Sequence, residues 1–309
     1  MSVRSTLKTL RETSLVWSGI AALRRVALLR HSLVLAYHNV VPDGCSAFGE
    51  PSLHIQRRTF VEQIEQLLRT HAIVPLEEVL TPAPSGRRPR VAITFDDAYR
   101  GAVVIGVEEL AKRGVPATLF VVPAFVGRGP FWWDAVPSHD DQVMRERTLQ
   151  ELGGKDGNVR SWAEAQGLRP DPVPAWALVA SEDELAAATR HPGITLASHT
   201  WTHPNLLRLS PAELEEELRR PLDWLRRQCT NVIPWLSYPY GLTSASVERA
   251  AAAAGYAAAL SIGGGLFTPD RVNRYALPRL NVPAGLSANG FVLWTSGFGA
   301  VALDAADGR

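Results

Sequence analysis

The chain has 309 residues, of which 46% are hydrophobic, which is long enough for one large α/β barrel or for two smaller domains. Its 32 basic and 31 acidic side chains leave a formal charge of +1. This argues against a nucleic-acid partner, because binding to phosphate backbones depends on an excess of positive charge. The two cysteines, Cys45 and Cys229, stand far apart and outside any CxxC pattern, which excludes a disulfide framework and a thiolate zinc site.

Residues 1–30 form a basic segment around a short apolar patch at 15–23. The segment is similar to an export signal only at first sight, because basic residues stand on both sides of the patch and no apolar run is long enough to cross a membrane. We therefore expect no clear signal peptide, and a location in the cytoplasm or at the inner face of a membrane. The simplest interpretation is a soluble chain, and the alternative is a basic amphipathic helix that covers the barrel or is in peripheral contact with a membrane. Residues 31–309 are predicted to form the main domain.

From Leu33 onward, short apolar runs alternate with helical patterns, which indicates repeated strand and helix units. The predicted strands are residues 33–37, a segment from 73, and residues 91–95, 117–122, 194–198, 232–238, 256–262 and 277–282. The predicted helices lie around 60–68, at 101–113, after Ser181, after Ser210 and up to Ala254. At both serines, a glutamate three residues later completes the pattern of a capping box. About seven strands that alternate with helices predict a closed or nearly closed parallel barrel, with its chemistry at the C-terminal strand ends.

Residues from about 127 to 180 interrupt this alternation. The stretch holds Trp132, Trp133, Trp162 and Trp176 among proline, glycine and charged residues, and its periodicity is weak. We interpret it as an insertion of loops and short helices.

Two histidines four residues apart, His199 and His203, follow the predicted strand at 194–198. On a helical turn this spacing places both rings on one side, close enough to bind one ion. A catalytic zinc commonly has a third protein ligand, and Asp96 and Asp97 at the end of another strand are the obvious donors. One carboxylate would bind the ion and its neighbour would face a water molecule, as metal-assisted hydrolysis requires.

Each of these patterns has an ordinary structural explanation when it stands alone. Paired histidines occur on protein surfaces, and two aspartates after a strand often cap the next helix. Their occurrence at two separate strand ends favours a common site.

The motifs resemble those of a known family. Residues 94–99 (TFDDAY), 198–204 (SHTWTHP) and 239–241 (PYG) are similar to successive motifs of the polysaccharide deacetylases, also called the NodB-homology or carbohydrate esterase 4 family. The resemblance spans about residues 33–282 and implies a distorted (β/α)7 TIM-like barrel. It also implies that Asp96 is the general base, that Asp97, His199 and His203 bind zinc or another divalent ion, and that Tyr240 offers its backbone N–H to the oxyanion.

The sequence departs from the family pattern in two places. The arginine that often precedes the third motif, where it orients the catalytic aspartate, is replaced by Ser237, and Arg279 in a late predicted strand is our candidate for that role. No histidine follows His203, although many members supply the general acid from a C-terminal strand. Some relatives that act on exported poly-N-acetylglucosamine resemble circular permutations with this histidine on the first strand, so we take His38 as the candidate acid. A surface arginine and a core or capping histidine are the alternatives for these two residues.

The resemblance implies a substrate with an N-acetylated amino sugar, in a polysaccharide, an oligosaccharide or a lipid-linked glycan. Most tryptophans of an irregular segment anchor it to the fold, but Trp133 and Trp201 are candidates for stacking on a sugar ring, and Tyr240 is a further candidate contact. Two other functions stay open. One is a barrel that binds sugar without turnover, and the other is an amidase or esterase acting on a small cyclic amide or an O-acetyl group.

Overall fold

The computed structural model describes residues 11–46, 48–81, 88–136 and 141–298, with the backbone alone at 141–145. The strands in these ranges are β1 (Ser32–Tyr37), β2 (Asn39–Val41), β3 (His54–Gln56), β4 (Ala72–Ile73), β5 (Arg90–Phe95), β6 (Ala117–Val121), β7 (Ile194–Ser198), β8 (Val232–Ser237), β9 (Ala258–Ile262), β10 (Leu266–Phe267) and β11 (Leu277–Asn281). The helices are α1 (Ile20–Ala27), α2 (Arg57–Thr70), α3 (Val107–Ala111), α4 (Trp132–Ala135), α5 (Asp141–Gln150), α6 (Asp156–Ala165), α7 (Glu182–Ala188), α8 (Pro211–Gln228), α9 (Ala245–Ala253) and α10 (Ala288–Leu293).

Seven parallel strands close into a barrel in the order β1, β5, β6, β7, β8, β9 and β11. The first strand of the chain closes it, because β1 pairs with β5 along its whole length, from Ser32 opposite Arg90 to Tyr37 opposite Phe95. On its other side β1 pairs with β11, with Leu35 opposite Leu280. The short strand β4 adds to β5, and β10 runs antiparallel to the start of β1. The expected (β/α)7 barrel is therefore confirmed.

The barrel strands are apolar on both faces because both faces are covered. Every residue of β1, β5 and β6 is buried. Val34, Ala92 and Phe120, on three neighbouring strands, belong to the cluster that fills the barrel, whereas side chains such as Leu35 and Ile93 pack in the cluster shared with the surrounding helices. This double burial explains why the strands appear in the sequence as continuous apolar runs.

Most of the sequence-based boundaries are confirmed to within one or two residues. The predicted strand at 194–198 coincides with β7, and both capping boxes are formed, at Ser181 with Glu184 and at Ser210 with Glu213. The helix predicted at 101–113 begins instead with a π-helical stretch, Gly101–Gly106, before α3. Gly101 allows a close approach there, since a Cβ at this position would lie 2.2 Å from the carbonyl oxygen of Val40.

The insertion consists of loops and short helices, as the sequence indicates, and α4, α5 and α6 lie within it. It has a small core of its own, formed by Trp132, Val136, Val159 and Ala163. The insertion reaches the barrel through Phe131, which is fully buried in the main core. This contact places the α4 region beside the C-terminal ends of the barrel strands.

The N-terminal segment packs along the outside of the barrel. Residues 11–17 are helical and α1 follows, with Ala21 and Leu28 buried against the rest of the molecule. A π-helical turn after α10, Trp294–Phe298, forms much of the surface on which α1 lies. Within the ranges that the structure describes, no helix is both long enough and apolar enough to cross a membrane.

Candidate active site

The candidate residues meet at the C-terminal end of the barrel because they follow neighbouring strands. Asp96 and Asp97 come directly after β5, His199 after β7, and His38 after β1. Arg279 lies within β11, on the other side of β1 from β5. The closed strand order therefore brings together residues that are up to 241 positions apart in the chain.

Asp97, His199 and His203 form a compact group of buried ligand atoms. The Nε2 atoms of His199 and His203 each lie 3.5 Å from Oδ1 of Asp97, and one ligand atom from each of the three residues falls within 4.8 Å of the others. Nδ1 of His199 lies 2.8 Å from the backbone carbonyl oxygen of Ser237. The carbonyl oxygen accepts a hydrogen bond from Nδ1–H, which leaves the lone pair of Nε2 directed at the group.

These residues fit a divalent cation. Oδ1 of Asp97 is a buried oxygen without a hydrogen-bond partner among the described residues. Burial and the neighbouring Asp96 carboxylate raise the pKa of Asp97 well above its usual value, and a bound cation would oppose this shift by favouring the ionised carboxylate. Burial also lowers the pKa values of His199 and His203, which keeps both imidazoles in the neutral form that binds metals. Two imidazoles with one carboxylate are a donor set that zinc uses.

The segment between the two histidines is not the helical turn that the spacing predicts. It is an irregular loop in which Thr200 and His203 have positive φ angles, 65° and 59°, and the two imidazole rings still come within 4.6 Å between centroids. The helical prediction was wrong because backbone N–H groups of the loop donate hydrogen bonds to Glu217 on α8. Its Oε2 accepts hydrogen bonds from the N–H groups of Trp201 and Thr202, at 2.9 and 2.8 Å, which removes the need for helical bonds.

Left-handed backbone conformations are concentrated at this site. Of the six non-glycine residues with positive φ in the described part, five lie in the three motifs, namely Asp97, Ala98, Thr200, His203 and Tyr240. Side chains with a Cβ adopt this region at a cost of about 1–2 kcal/mol each, and such residues cluster where function requires them.

Arg279 binds Asp96 in the way the sequence predicts for the missing arginine. Its two terminal nitrogens lie 2.7 and 2.8 Å from the two carboxylate oxygens, and the side chain is fully buried. Nη2 also donates to Oγ of Ser237, 2.7 Å away, so the residue in the usual arginine position holds its substitute. Burial opposes ionisation of Asp96, but the charge and hydrogen bonds of Arg279 favour it, and the pKa of Asp96 falls below the usual range.

His38 lies on the wall of the cavity that contains Asp96 and the ligand group. Burial lowers its pKa to about 4, against the opposing effect of the Asp96 carboxylate. The imidazole is therefore neutral at pH 7 before substrate binds. As a general acid it must first receive a proton during turnover.

The cavity has a volume of about 680 Å³, within the range of small-molecule sites. Besides the motif residues, its lining includes Trp133, Glu50, Ile262 and Asn281. It opens where the insertion meets the barrel.

Trp133 is fixed in the cavity wall by a buried hydrogen-bond chain. Its indole N–H donates to the hydroxyl of Tyr99, 2.7 Å away, and that hydroxyl donates to Oδ2 of Asp134 at 2.5 Å. The other oxygen of Asp134 accepts from Nε2 of His54 at 3.1 Å, and Nδ1 of His54 accepts from the amide of Asn39. The indole also stacks on Phe131, with centroids 4.4 Å apart, so its orientation is fully determined.

The other two aromatic candidates occupy different places. Tyr240 lines the cavity, with its ring centroid 4.7 Å from that of His203, and a φ of 58° sets the turn after β8. Trp201 is absent from the described residues that line the cavity. It lies instead under the guanidinium of Arg220, 3.9 Å from the ring centroid. The structure thus brings Trp133 and Tyr240 to the candidate site, and not Trp201.

Sequence reasoning missed several residues that support the site. Glu217 stands 14 residues after His203 on a helix rich in charge, and nothing in its local pattern separates it from the exposed Glu215 and Glu216. Tyr99 and His54 are also far from any metal-binding spacing. A buried partner across the fold gives these residues their roles, and a local pattern carries no signal of it.

Comparisons with known proteins agree with this geometry. The barrel of seven parallel strands is a fold that this chain shares with solved deacetylase structures. Residues 83–259 match the sequence model of the family described as Polysaccharide deacetylase. The chain belongs to the polysaccharide deacetylase family.

Two relatives of known sequence are similar to parts of the chain. The YxkH protein of Bacillus subtilis (strain 168), which is assigned to the polysaccharide deacetylases, is 30% identical over 265 residues, 84% of this chain and 74% of its own length. The chitooligosaccharide deacetylase of Bradyrhizobium sp. (strain ANU 289) is 36% identical over 81 residues, 26% of this chain. That match spans only 37% of the length of the Bradyrhizobium protein.

Solved structures share the fold at low sequence identity. The Streptococcus pyogenes deacetylase PplD, in complex with acetate, has a TM-score of 0.61 at 18% identity, over 86% of this chain and 98% of its own. IcaB from Ammonifex degensii has a TM-score of 0.60 at 18% identity, over 86% and 97%.

Proposed function

We propose that this chain is a metal-dependent hydrolase that removes N-acetyl groups from an N-acetylated amino sugar in a polysaccharide, an oligosaccharide or a lipid-linked glycan. The observation that carries the proposal is the pairing of two buried carboxylates with different partners. Asp97 faces two neutral imidazoles, whereas Asp96 beside it is ionised and held by Arg279. The names of the relatives, among them a chitooligosaccharide deacetylase, support an acetylated sugar as substrate.

Asp97, His199 and His203 would hold the divalent ion, with zinc as our first candidate. When bound, such an ion supplies Lewis-acid chemistry, in that it polarises the acetyl carbonyl and lowers the pKa of water towards about 7.

Asp96 would act as the general base that takes a proton from the attacking water. Its carboxylate is fixed by two hydrogen bonds from Arg279, so little reorganisation is needed when the proton moves. The depressed pKa of Asp96 keeps it unprotonated at neutral pH. Oδ2 of Asp96 lies 3.8 Å from Nε2 of His199, which places the base at the edge of the ligand group.

His38 and Tyr240, which both line the cavity, would complete the reaction. The backbone N–H of Tyr240 would stabilise negative charge on the acetyl oxygen. His38, neutral in the resting state, would receive the proton that Asp96 removes and pass it to the departing amine. The hydrolysis is balanced, since water adds across the amide bond and gives acetate and a free amine.

Trp133 would bind the sugar ring. Its indole is held in the cavity wall and lies against His203, with centroids 5.0 Å apart, so a sugar stacked there would present its acetyl group to the ligand atoms. The tryptophan-bearing insertion, which contributes Trp132 and Trp133 to the cavity lining, favours an extended substrate over a small cyclic amide.

The test is release of acetate from chitooligosaccharides, poly-N-acetylglucosamine oligomers and lipid-linked glycan precursors by the purified chain loaded with a divalent ion. We expect turnover that a chelator abolishes and that the same ion restores. The variant Asp96→Asn should bind metal normally but lose activity by about a hundredfold or more. Metal content, measured on the same samples by elemental analysis, distinguishes a loss of activity caused by removal of the base from one caused by loss of the bound ion.

Three outcomes would contradict the proposal. Chelator-insensitive acetate release would remove the metal from the mechanism. Binding of these sugars without acetate release would favour a binding barrel, and release from O-acetylated sugars alone would make the chain an esterase.

A further inference from the structure

The N-terminal segment carries a concentrated set of exposed apolar side chains that the catalytic site does not use. Trp17 is 85% exposed, Leu23 71%, Val26 65% and Ile20 42%. These four account for half of the eight large hydrophobic side chains that are exposed in the described part of the chain, and they fall within ten residues. Such a cluster on a rigid surface marks a site of interaction.

The opposite side of the same segment is the one that packs on the protein. Ala21 and Leu28 are buried, and Arg25 donates from Nη1 to the hydroxyl of Ser296 at 3.2 Å. On a helix these positions lie on the face opposite Leu23 and Val26. The apolar side chains of α1 are therefore directed away from the barrel by the way the helix is docked.

The described part of the segment, from residue 11, is tied to the protein at two places. Glu12 is buried and accepts a hydrogen bond from the hydroxyl of Ser287 at 2.6 Å, and Thr13 accepts from Asn289. Further along, Arg25 contacts Ser296 beyond α10. Residues 12–25 thus lie along α10, and their outer face is held in one orientation.

The charge of the segment is strongly positive although that of the whole chain is close to zero. Residues 1–30 contain six basic side chains, Arg4, Lys8, Arg11, Arg24, Arg25 and Arg30, and one acidic side chain, Glu12, which is buried. The exposed charges that border the apolar side chains, at Arg11, Arg24 and Arg30, are therefore all positive. An anionic surface complements them.

We propose that this face docks the protein onto an anionic lipid membrane. Trp17, Ile20, Leu23 and Val26 enter the headgroup region, and the arginines beside them contact lipid phosphates. An amphipathic helix with aromatic and aliphatic residues on one face and arginines beside them binds membranes in this way. A second copy of the chain fits less well, because two such faces would bring like charges together.

Docking on this face would fix the orientation of the cavity relative to the membrane. The segment lies beside α10, which follows β11 and runs back along the outside of the barrel. The cavity lies at one end of the barrel, and the docking face on its side. The mouth would therefore open parallel to the membrane plane, where a glycan close to the membrane could enter it from the side.

The experiment measures binding of the full chain to vesicles of phosphatidylcholine alone and of phosphatidylcholine mixed with phosphatidylglycerol, by flotation. We expect binding to the mixed vesicles that weakens as salt is raised. The double variant Trp17→Ser, Leu23→Ser should bind at least about tenfold more weakly, because two apolar side chains no longer leave water. Replacing Arg11 and Arg30 by Gln should weaken binding to the mixed vesicles by about tenfold or more.

The matched control is Val104→Ser with Leu207→Ser, which removes two apolar side chains that are each 44% exposed elsewhere on the surface. This variant should bind like the unchanged protein, and equal thermal unfolding midpoints would show that all variants are folded. The proposal is overturned if the unchanged protein does not float with the mixed vesicles, or if the Trp17 and Leu23 variant floats equally well. It is also overturned if light scattering shows a dimer that this variant converts to a monomer, since the face would then belong to a second copy.

Discussion

Arg279 and Asp96 form a buried ion pair whose two members come from strands on either side of β1. The guanidinium is fully buried and the carboxylate is 2% exposed, so both charges are largely withdrawn from bulk water. Ser237 joins the pair by a hydrogen bond and occupies the place of the usual arginine. The Asp96 carboxylate thus has a cationic partner, which comes from β11.

Removing one member of this pair should destabilise the fold more than removing both. Arg279→Met leaves the Asp96 carboxylate buried without a counter-charge, which typically costs about 3–5 kcal/mol in the free energy of unfolding. The double variant Arg279→Met, Asp96→Asn should recover a large part of that loss, because no uncompensated charge remains. Denaturant unfolding in the presence of a chelator measures both. A loss in the double variant that equals the sum of the losses in Arg279→Met and Asp96→Asn would show that the pair is not coupled.

At the scale of elements, α8 supports the loop that carries the two histidines. The carboxylate of Glu217 accepts hydrogen bonds from two backbone N–H groups and from the hydroxyl of Thr202. It therefore fixes a loop that contains two left-handed residues and no regular structure.

Glu217→Gln should lower metal affinity without touching a ligand. The neutral amide oxygen accepts from the N–H groups of Trp201 and Thr202 more weakly than the carboxylate does, and the hydroxyl of Thr202 loses its acceptor. The loop relaxes, and the imidazoles of His199 and His203 lose their common orientation. Changes in groups that orient metal ligands reduce affinity by about 10–100-fold. Competition with a metal-binding dye measures the effect, and the exposed neighbour Glu216→Gln is the control. Equal affinities in the two variants would mean that the loop holds its shape without Glu217.

The insertion is joined to the barrel through Tyr99, three residues after Asp96. Tyr99→Phe removes the hydroxyl that links Trp133 to Asp134 and leaves both groups without this partner. We expect a loss of about 1–3 kcal/mol in stability and a rise in KM for a glycan substrate, with kcat changed much less. Steady-state kinetics of acetate release separate the two constants. A fall in kcat with unchanged KM would place Tyr99 in the chemistry instead of in sugar binding.

The same elements show how much of the fold and of the candidate site can be predicted from the sequence. Buried parallel strands such as β5 and β7 were predicted to within a residue, because continuous apolar runs and serine caps are local signals. Asp96, Asp97, His199 and His203 were found through short motifs, and Arg279 through a departure from one. The shape of the loop at 199–203 was not predictable, since it depends on Glu217. The chain of hydrogen bonds from Asn39 to Trp133 was not predictable either, because it joins segments that are distant in the sequence.

At the scale of the whole molecule, the helices on the outside of the barrel are joined by charge networks. Glu109 on α3 accepts hydrogen bonds from Arg57 on α2 at 2.7 Å, from Arg113 at 2.8 Å and from Lys112 at 3.0 Å. Burial opposes its ionisation, but these three cations outweigh it and lower its pKa from 4.5 to about 2.

This network predicts a specific pH dependence of stability. Because the folded-state pKa of Glu109 lies below the unfolded one, its contribution is complete above pH 4.5 and is lost as the pH falls from 4.5 towards 2. The difference in free energy of unfolding between the unchanged protein and Glu109→Gln should therefore be largest near neutral pH and shrink over that interval. Urea unfolding at several pH values measures it, with the exposed Glu108→Gln as the control. A difference that stays constant across the interval would contradict this account.

The five left-handed residues of the motifs also affect how the protein can be engineered. At about 1–2 kcal/mol each, their backbone conformations together cost about 5–10 kcal/mol, as much as the net stability of many domains. Glycine removes this penalty at no steric cost, so a selection for heat resistance alone would favour glycine at positions such as Thr200. Such variants would adopt the left-handed conformation without a steric penalty, but the loop between the histidines would be less rigid. Libraries aimed at thermostability should therefore leave these five positions fixed and vary the helices outside the barrel.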